Sequence, residues 1–221
     1  MSLAMALYNH HGIVMSADKL ITSTIKDGEK EIQYTRPSTE QKLFLIEEKY
    51  GLSCTGTASI NGIPISAILE KYFVENSIQN LDIDTWLLNL ANYFHAQLDG
   101  TTNNIIFIMC GYQNNHRIIA STNTLKPSIT LFTSEASLTY SGENQFVDLL
   151  INSPIIPFEY SKFTMQDSVD FLCFLNETVA NLMHFGQYSP TVSKECDILA
   201  IYPNKSYWVR HETLHIPHSD S

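Results

Sequence analysis

Two short apolar runs, residues 3–9 and 12–17, open the chain on either side of Asn9-His10-His11-Gly12. Runs of that length flanking a glycine-containing break predict two strands joined as a hairpin. The second run ends in a lone aspartate, Asp18. A third predicted strand begins with Lys42, and a fourth, Tyr50–Cys54, runs into Gly56, a glycine placed to open a helix. Four strands ahead of any helix limit the chain to folds that lead with a sheet, and the remaining segments narrow the choice.

Residues 24–40 hold much of the local charge and a proline, and read as an exposed excursion. From Ala58 to about Asn76 the period changes: Ile60, Ile65, Ile68, Leu69, Tyr72 and Phe73 recur at helical spacing. A second helix follows, with Ile83, Trp86, Leu87, Leu90, Ala91, Phe94 and Leu98 on one face, Asp82 or Asp84 at its start and Gly100 as its stop. The two aspartates favour the positive end of that helix and read as capping groups rather than an acid–base pair. Asn104–Tyr112, Arg117–Ser121 and Ser128–Phe132 return to strand character, the first apolar throughout as a strand covered on both faces would be. Gly142–Asn152 is a short predicted helix. Thr164-Met-Gln-Asp167 caps a long one reaching about Phe185, with Val169, Leu172, Asn176, Val179, Ala180 and Met183 on one stripe and Phe171, Phe174, Leu175 and Leu182 on a second. Glu195–Tyr202 and Ser206–His211 close the chain as a hairpin. Strands in one layer and helices in two paired blocks predict an α+β, four-layer αββα sandwich of two stacked, mainly antiparallel sheets.

Length and composition set the outer bounds. At 221 residues the chain reads as one domain over 1–221, large enough for a substantial core. A net charge of −10 argues against nucleic acid and against an anionic membrane surface as partners. No apolar run approaches the roughly 18 residues of a membrane span. Cys54, Cys110, Cys173 and Cys196 form no CxxC pair, and mostly lie in apolar runs where a free thiol is a small hydrophobe; a reduced, cytoplasmic setting is expected. His211, His215 and His218 are spaced like metal ligands, but Pro217 and a polar tail speak against a rigid site, so no metal and no cofactor is expected. His10-His11 reads as a solvent-exposed turn.

Several segments together resemble the proteasome family, the self-compartmentalised N-terminal-nucleophile peptidases. Gly12-Ile-Val-Met-Ser-Ala-Asp18 resembles the family's Gly-Val-Val-x-Ala-Ala-Asp strand, Lys42-Leu-Phe-Leu-Ile46 its Lys-Ile-x-x-Ile strand, and Cys54-Thr-Gly56-Thr-Ala58 its Ala-Gly-x-Ala turn. The step from Lys42 to Gly56, 56 − 42 = 14 residues, is also the family's. Tyr140-Ser141-Gly142 is similar to the Gly-Ser-Gly before the third helix, and Tyr188-Ser189 to a Tyr-Ser after the fourth.

The resemblance implies a peptidase working within a ring-shaped homo-oligomer on peptides or unfolded protein, with an ATP-dependent unfoldase as a possible partner. Counting back from Gly12 and Asp18, it puts Ser2 at the nucleophile's position. A hydroxyl needs a base, and the free α-amine of the same residue can serve because its ordinary pKa, roughly 7.7–8, lies near working pH. Lys42 would supply positive charge, Asp18 would hold Lys42, and the Gly56 N–H would face the oxyanion. Ser141 and Ser189 would join the hydrogen bonds around the nucleophile. Thr22 would pair with substrate backbone, and Cys54 and Ala58 would line the side-chain pocket. The sequence departs from the family's pattern in three ways. Ser replaces its usual Thr, Gly186 stands where an aspartate usually precedes the Tyr-Ser, and Met1 precedes Ser2, so that the Ser2 nitrogen becomes an amine only once Met1 is removed. A catalytically inactive structural member of the same fold is the alternative reading.

Overall fold

The computed structural model describes residues 2–27, 30–37, 41–78, 81–98, 101–152, 157–186 and 188–211, with only the backbone path for 22–27 and 30–37. The chain begins with β1 (Leu3–Asn9) and β2 (Gly12–Asp18), each buried along its whole length, as expected of strands with a layer on either face. Next come β3 (Leu20–Asp27), β4 (Lys30–Pro37), β5 (Leu43–Ile46) and β6 (Tyr50–Gly56), then a small hairpin, β7 (Ser59–Ile60) and β8 (Ile63–Pro64). Helices α1 (Ile65–Glu75) and α2 (Ile83–Gln97) lead to β9 (Ile105–Gln113), β10 (His116–Asn123), β11 (Thr130–Leu131) and β12 (Ser137–Gly142). Helices α3 (Asn144–Ile151) and α4 (Met165–Phe185) precede the closing hairpin of β13 (Cys196–Tyr202) and β14 (Lys205–Arg210).

Two five-stranded antiparallel sheets result, ordered β12-β1-β2-β13-β14 and β11-β10-β9-β6-β5. Side-chain alternation along each strand divides the core into three layers. Ala4, Ala6, Met15 and Leu199 of the first sheet meet Leu43, Ile108 and Cys110 of the second. Leu3, Leu7, Val14 and Ile198 face outward onto Phe146 of α3 and Leu172, Val179 and Met183 of α4. Leu52, Phe107 and Met109 face outward onto Leu69 of α1 and Trp86, Leu90 and Phe94 of α2. This is the αββα sandwich predicted from periodicity. The long helix starts as predicted: the Thr164 hydroxyl accepts from the Asp167 N–H while the Asp167 carboxylate accepts from the Thr164 N–H, a complete capping box.

Three local expectations are corrected. The charged excursion is a two-stranded hairpin, with β3 and β4 in continuous register from Leu20↔Pro37 to Asp27↔Lys30. Its alternating Ile and Thr residues are strand formers, and charge outweighed them in the sequence reading. The helix expected from Ala58 starts only at Ile65, because Asn61 and Gly62 adopt positive φ (51° and 79°) and turn the chain back as β7–β8. Gly142, expected to open a helix, instead ends the edge strand β12 (residues 137–142) against β1, and that helix begins at Asn144. Among the described residues, no helix is long and apolar enough to cross a membrane. Gly100, the expected stop of α2, and the tail histidines His215 and His218 lie outside the described residues.

The spacing between the sheets is set partly by Gly51. A Cβ placed there would lie 2.4 Å from Met15 Sδ, 2.9 Å from Ile201 Cδ1 and 3.0 Å from Leu199 Cδ2. Gly51→Ala therefore forces the sheets apart or distorts Met15, and is expected to cost about 1–3 kcal/mol. Thermal denaturation followed by circular dichroism checks it: a melting midpoint equal to that of the parent protein contradicts this account of the spacing.

Candidate active site

Strand β1 lies inside its sheet, between β12 and β2, so the Ser2–Leu3 peptide has a neighbour on each side. On the β12 side, the Glu143 N–H donates to the Ser2 carbonyl at 3.0 Å. On the β2 side, the Leu3 N–H donates to Asp18 Oδ1 at 2.9 Å. The two polar groups of one peptide are thus held by two different segments. Ser2 shares the side-chain parity of Ala4 and Ala6, which face the space between the sheets. It is buried, at 5% exposure, and lines a cleft at the end of that space.

Asp18 is fully buried and accepts four hydrogen bonds from described residues. Oδ1 takes the Leu3 N–H and the Lys42 ammonium at 2.8 Å; Oδ2 takes the Leu20 N–H at 2.9 Å and the Ser193 N–H at 3.4 Å. That donor set satisfies a buried carboxylate in its charged form. Lys42 precedes β5 of the other sheet, so its ion pair with Asp18 crosses between the layers. Lys42 Nζ also donates to the Leu20 carbonyl. Of the three ammonium donors, these two contacts leave one, and Lys42 lines the same cleft as Ser2.

The cleft is bounded by Ser2, Leu20, Ile21, Lys42, Cys54 and Thr55 together with Gly56, Ala58, Ile65 and Ser66, and is narrow and open to solvent, with a volume of about 40 Å³. Gly56 ends β6 with no room for a side chain, since a Cβ would lie 2.2 Å from the Asn104 carbonyl oxygen. Apart from Lys42, the described residues of the walls are uncharged. Beneath them, Ser141 on β12 exchanges a 2.9 Å hydrogen bond with Thr55 on β6, tying the two sheets together.

Of the residues singled out in the sequence, the structure brings Ser2, Lys42, Cys54, Gly56 and Ala58 to one cleft, with Asp18 and Ser141 directly behind it. Thr22 lies on β3, one residue beyond cleft-lining Ile21. Ser189 is exposed, and no described contact links it to Ser2, Asp18 or Lys42. Ser193 occupies that neighbourhood instead: its N–H reaches Asp18, and its Oγ accepts from the Lys19 N–H at 2.8 Å. Of the three tail histidines, the described one, His211, stacks on Trp208 and sits 3.4 Å from Asp197. The sequence reading missed Thr55, Ser193, Glu143 and Thr191; only the position of Ser193, three residues before the strand that pairs with Asp18, offered a signal.

Two antiparallel sheets between two helical layers make up a proteasome-like fold. No family model matches the sequence, and no curated protein matches it. Among solved structures, Anbu from Hyphomicrobium sp. strain MC1, a proteasome-like protein, is similar with a TM-score of 0.63, covering 97% of this chain and 88% of that one. At 10% identity the similarity shows the fold alone.

Away from the cleft, Cys173 on α4 and Cys196 on β13 share a hydrogen bond. That bond, helped by Arg210, draws the Cys173 thiol below the ordinary thiol range, while the same bond and then burial push Cys196 up. Burial pushes Cys110 up as well. At pH 7, iodoacetamide is expected to alkylate half-buried Cys173 well before Cys110, as read by peptide mass spectrometry.

The buried ion pair yields a sharper test. Asp18→Asn leaves Lys42 without its counter-charge and is expected to cost about 3 kcal/mol in urea denaturation. Adding Lys42→Met should recover part of that loss, because the stranded charge is gone. A double variant less stable than Asp18→Asn alone contradicts the assignment of the penalty to Lys42.

Proposed function

We propose that this chain is a peptidase of the proteasome-like kind, with Ser2 as its nucleophile once Met1 is removed. The observation that carries the proposal is the convergence of Ser2, Lys42 and Gly56 on one cleft, with Asp18 gripping both Lys42 and the Ser2–Leu3 peptide. The freed α-amine takes the Oγ proton as Oγ attacks the substrate carbonyl carbon. Negative charge then develops on the carbonyl oxygen, where the Gly56 N–H stabilises it. The amine returns its proton to the departing peptide nitrogen, leaving an ester on Ser2. Water, activated by the same amine, hydrolyses that ester. Lys42 keeps positive charge beside the reacting atoms and Asp18 fixes its place, while Ser141 orders the cleft floor through Thr55.

The cleft walls support a preference for uncharged, apolar side chains, with Cys54, Ala58 and Ile65 as the pocket and β3, through Thr22, as the edge that pairs with substrate backbone. Exposed Phe174, Leu182 and Phe185 along α4, with Leu149 on α3, support burial against further copies in a ring. Peptides or unfolded protein in the cytoplasm, delivered by an ATP-dependent unfoldase, complete this reading.

Peptide hydrolysis by protein with a free Ser2 amine, confirmed by intact mass, tests it. Ser2→Ala should lower kcat by at least about a thousandfold. The base acts only when deprotonated, so kcat/KM should fall about tenfold per pH unit below the amine pKa and level off above it. Turnover that survives Ser2→Ala refutes the nucleophile. Absence of turnover across a peptide library favours the inactive structural member.

A further inference from the structure

A buried carboxylate beside Ser2 has no part in the chemistry above. Glu143 is 3% exposed and immediately precedes α3, whose positive end favours a carboxylate. Its backbone N–H is the group that holds the Ser2 carbonyl, and its Oε1 accepts a 2.5 Å hydrogen bond from the Thr191 hydroxyl. Thr191 is itself 1% exposed. Sequestering a carboxylate on one side-chain donor among the described residues costs stability, and a neutral or apolar residue would avoid that cost. The cost is understandable if the bond it makes is needed for placement.

The surroundings show what is placed. The preceding Gly142 lies at φ +110°, and a Cβ there would come within 1.7 Å of the Ser2 carbonyl oxygen, so this turn presses directly on the peptide it holds. Thr191 belongs to the segment that also contains Ser193, the donor to Asp18 Oδ2. Asn176 of α4 pins that segment from behind, donating to the Ser193 and Lys194 carbonyls at 2.7 and 3.0 Å. The Glu143–Thr191 bond therefore closes a loop of contacts from the Ser2 carbonyl, through the turn and the 191–193 segment, to Asp18 and back to the Leu3 N–H.

We propose that Glu143 is a positioning residue: bonded to Thr191, it locks the turn that grips the Ser2 carbonyl and couples that grip to the segment holding Asp18. The inference rests on the Ser2 reading for its effect on catalysis, but its structural half can be measured without any activity.

Protein with a free Ser2 amine is tested as Thr191→Val, Thr191→Ser and Glu143→Gln, using a fluorogenic peptide and native-state amide hydrogen exchange. Thr191→Val removes the hydroxyl at constant shape, and should lower kcat about tenfold with KM changed less than about twofold, as expected for losing a hydrogen bond to a charged group. Exchange of the Glu143 N–H should quicken by about tenfold in the same variant. Thr191→Ser restores the hydroxyl and should recover most of both; Glu143→Gln, which keeps an acceptor oxygen, should fall between. Unchanged exchange of the residue-143 backbone N–H in both Thr191→Val and Glu143→Gln overturns the proposal. So does a Thr191→Ser variant as impaired as Thr191→Val, which would assign the effect to methyl packing. If the parent protein hydrolyses no peptide, the proposed function fails by itself, and the exchange rates still decide whether the lock exists.

Discussion

The arrangement of the cleft depends on the Asp18 carboxylate. A carboxylate with no solvent contact is tolerable only when donors surround it, and here the donors come from the start of β1, the start of β3, the lead into β5 and the segment after α4. Satisfying one buried charge thus requires four distant parts of the chain to meet at its end of the sheet. The fold brings them together: β1 and β2 are neighbours in the first sheet, Lys42 reaches across from the second, and β13, pairing with β2, carries the 188–195 segment to the same corner.

Much of the architecture could be read from the sequence because it rests on periodicity. Ile83, Trp86, Leu87, Leu90 and Phe94 recur at helical spacing, and β9 is apolar throughout; the four layers follow from such patterns. Where polar residues point inward, periodicity is a poorer guide. On β12, Thr139 and Ser141 face the interior between the sheets while Leu138 and Tyr140 face α3 and α4, so a buried strand resembles a polar connection. On β7–β8 the Asn61-Gly62 turn signal was present but lay inside an apparent helical repeat.

The site was legible in a different way. Asp18, Lys42 and Gly56 could be chosen because the segments that carry them resemble the proteasome family's strands and turn; read singly, each is an ordinary strand-end or turn residue. Thr55 meets Ser141 across 86 residues of sequence, Glu143 meets Thr191 across 48, and Ser193 meets Asp18 across 175. Nothing local distinguishes these hydroxyls and carboxylates from surface residues. Ser189 is the reverse case: its Tyr-Ser dipeptide fits a pattern, yet Ser189 is exposed and it is Ser193, four residues on, whose N–H reaches Asp18.

The ion pair spanning the layers has one further consequence. Because Asp18 and Lys42 belong to opposite sheets, their separation measures how far one sheet has slid over the other. Gly51, five residues from Gly56 and roughly 16 Å away along β6, helps fix that alignment by seating Met15 against the facing strand. A slip of a single pleat would leave both sheets intact while parting the ammonium from its carboxylate. The cleft is in this sense a gauge of shear between the layers, and packing choices far from Ser2 are felt there before any strand is lost.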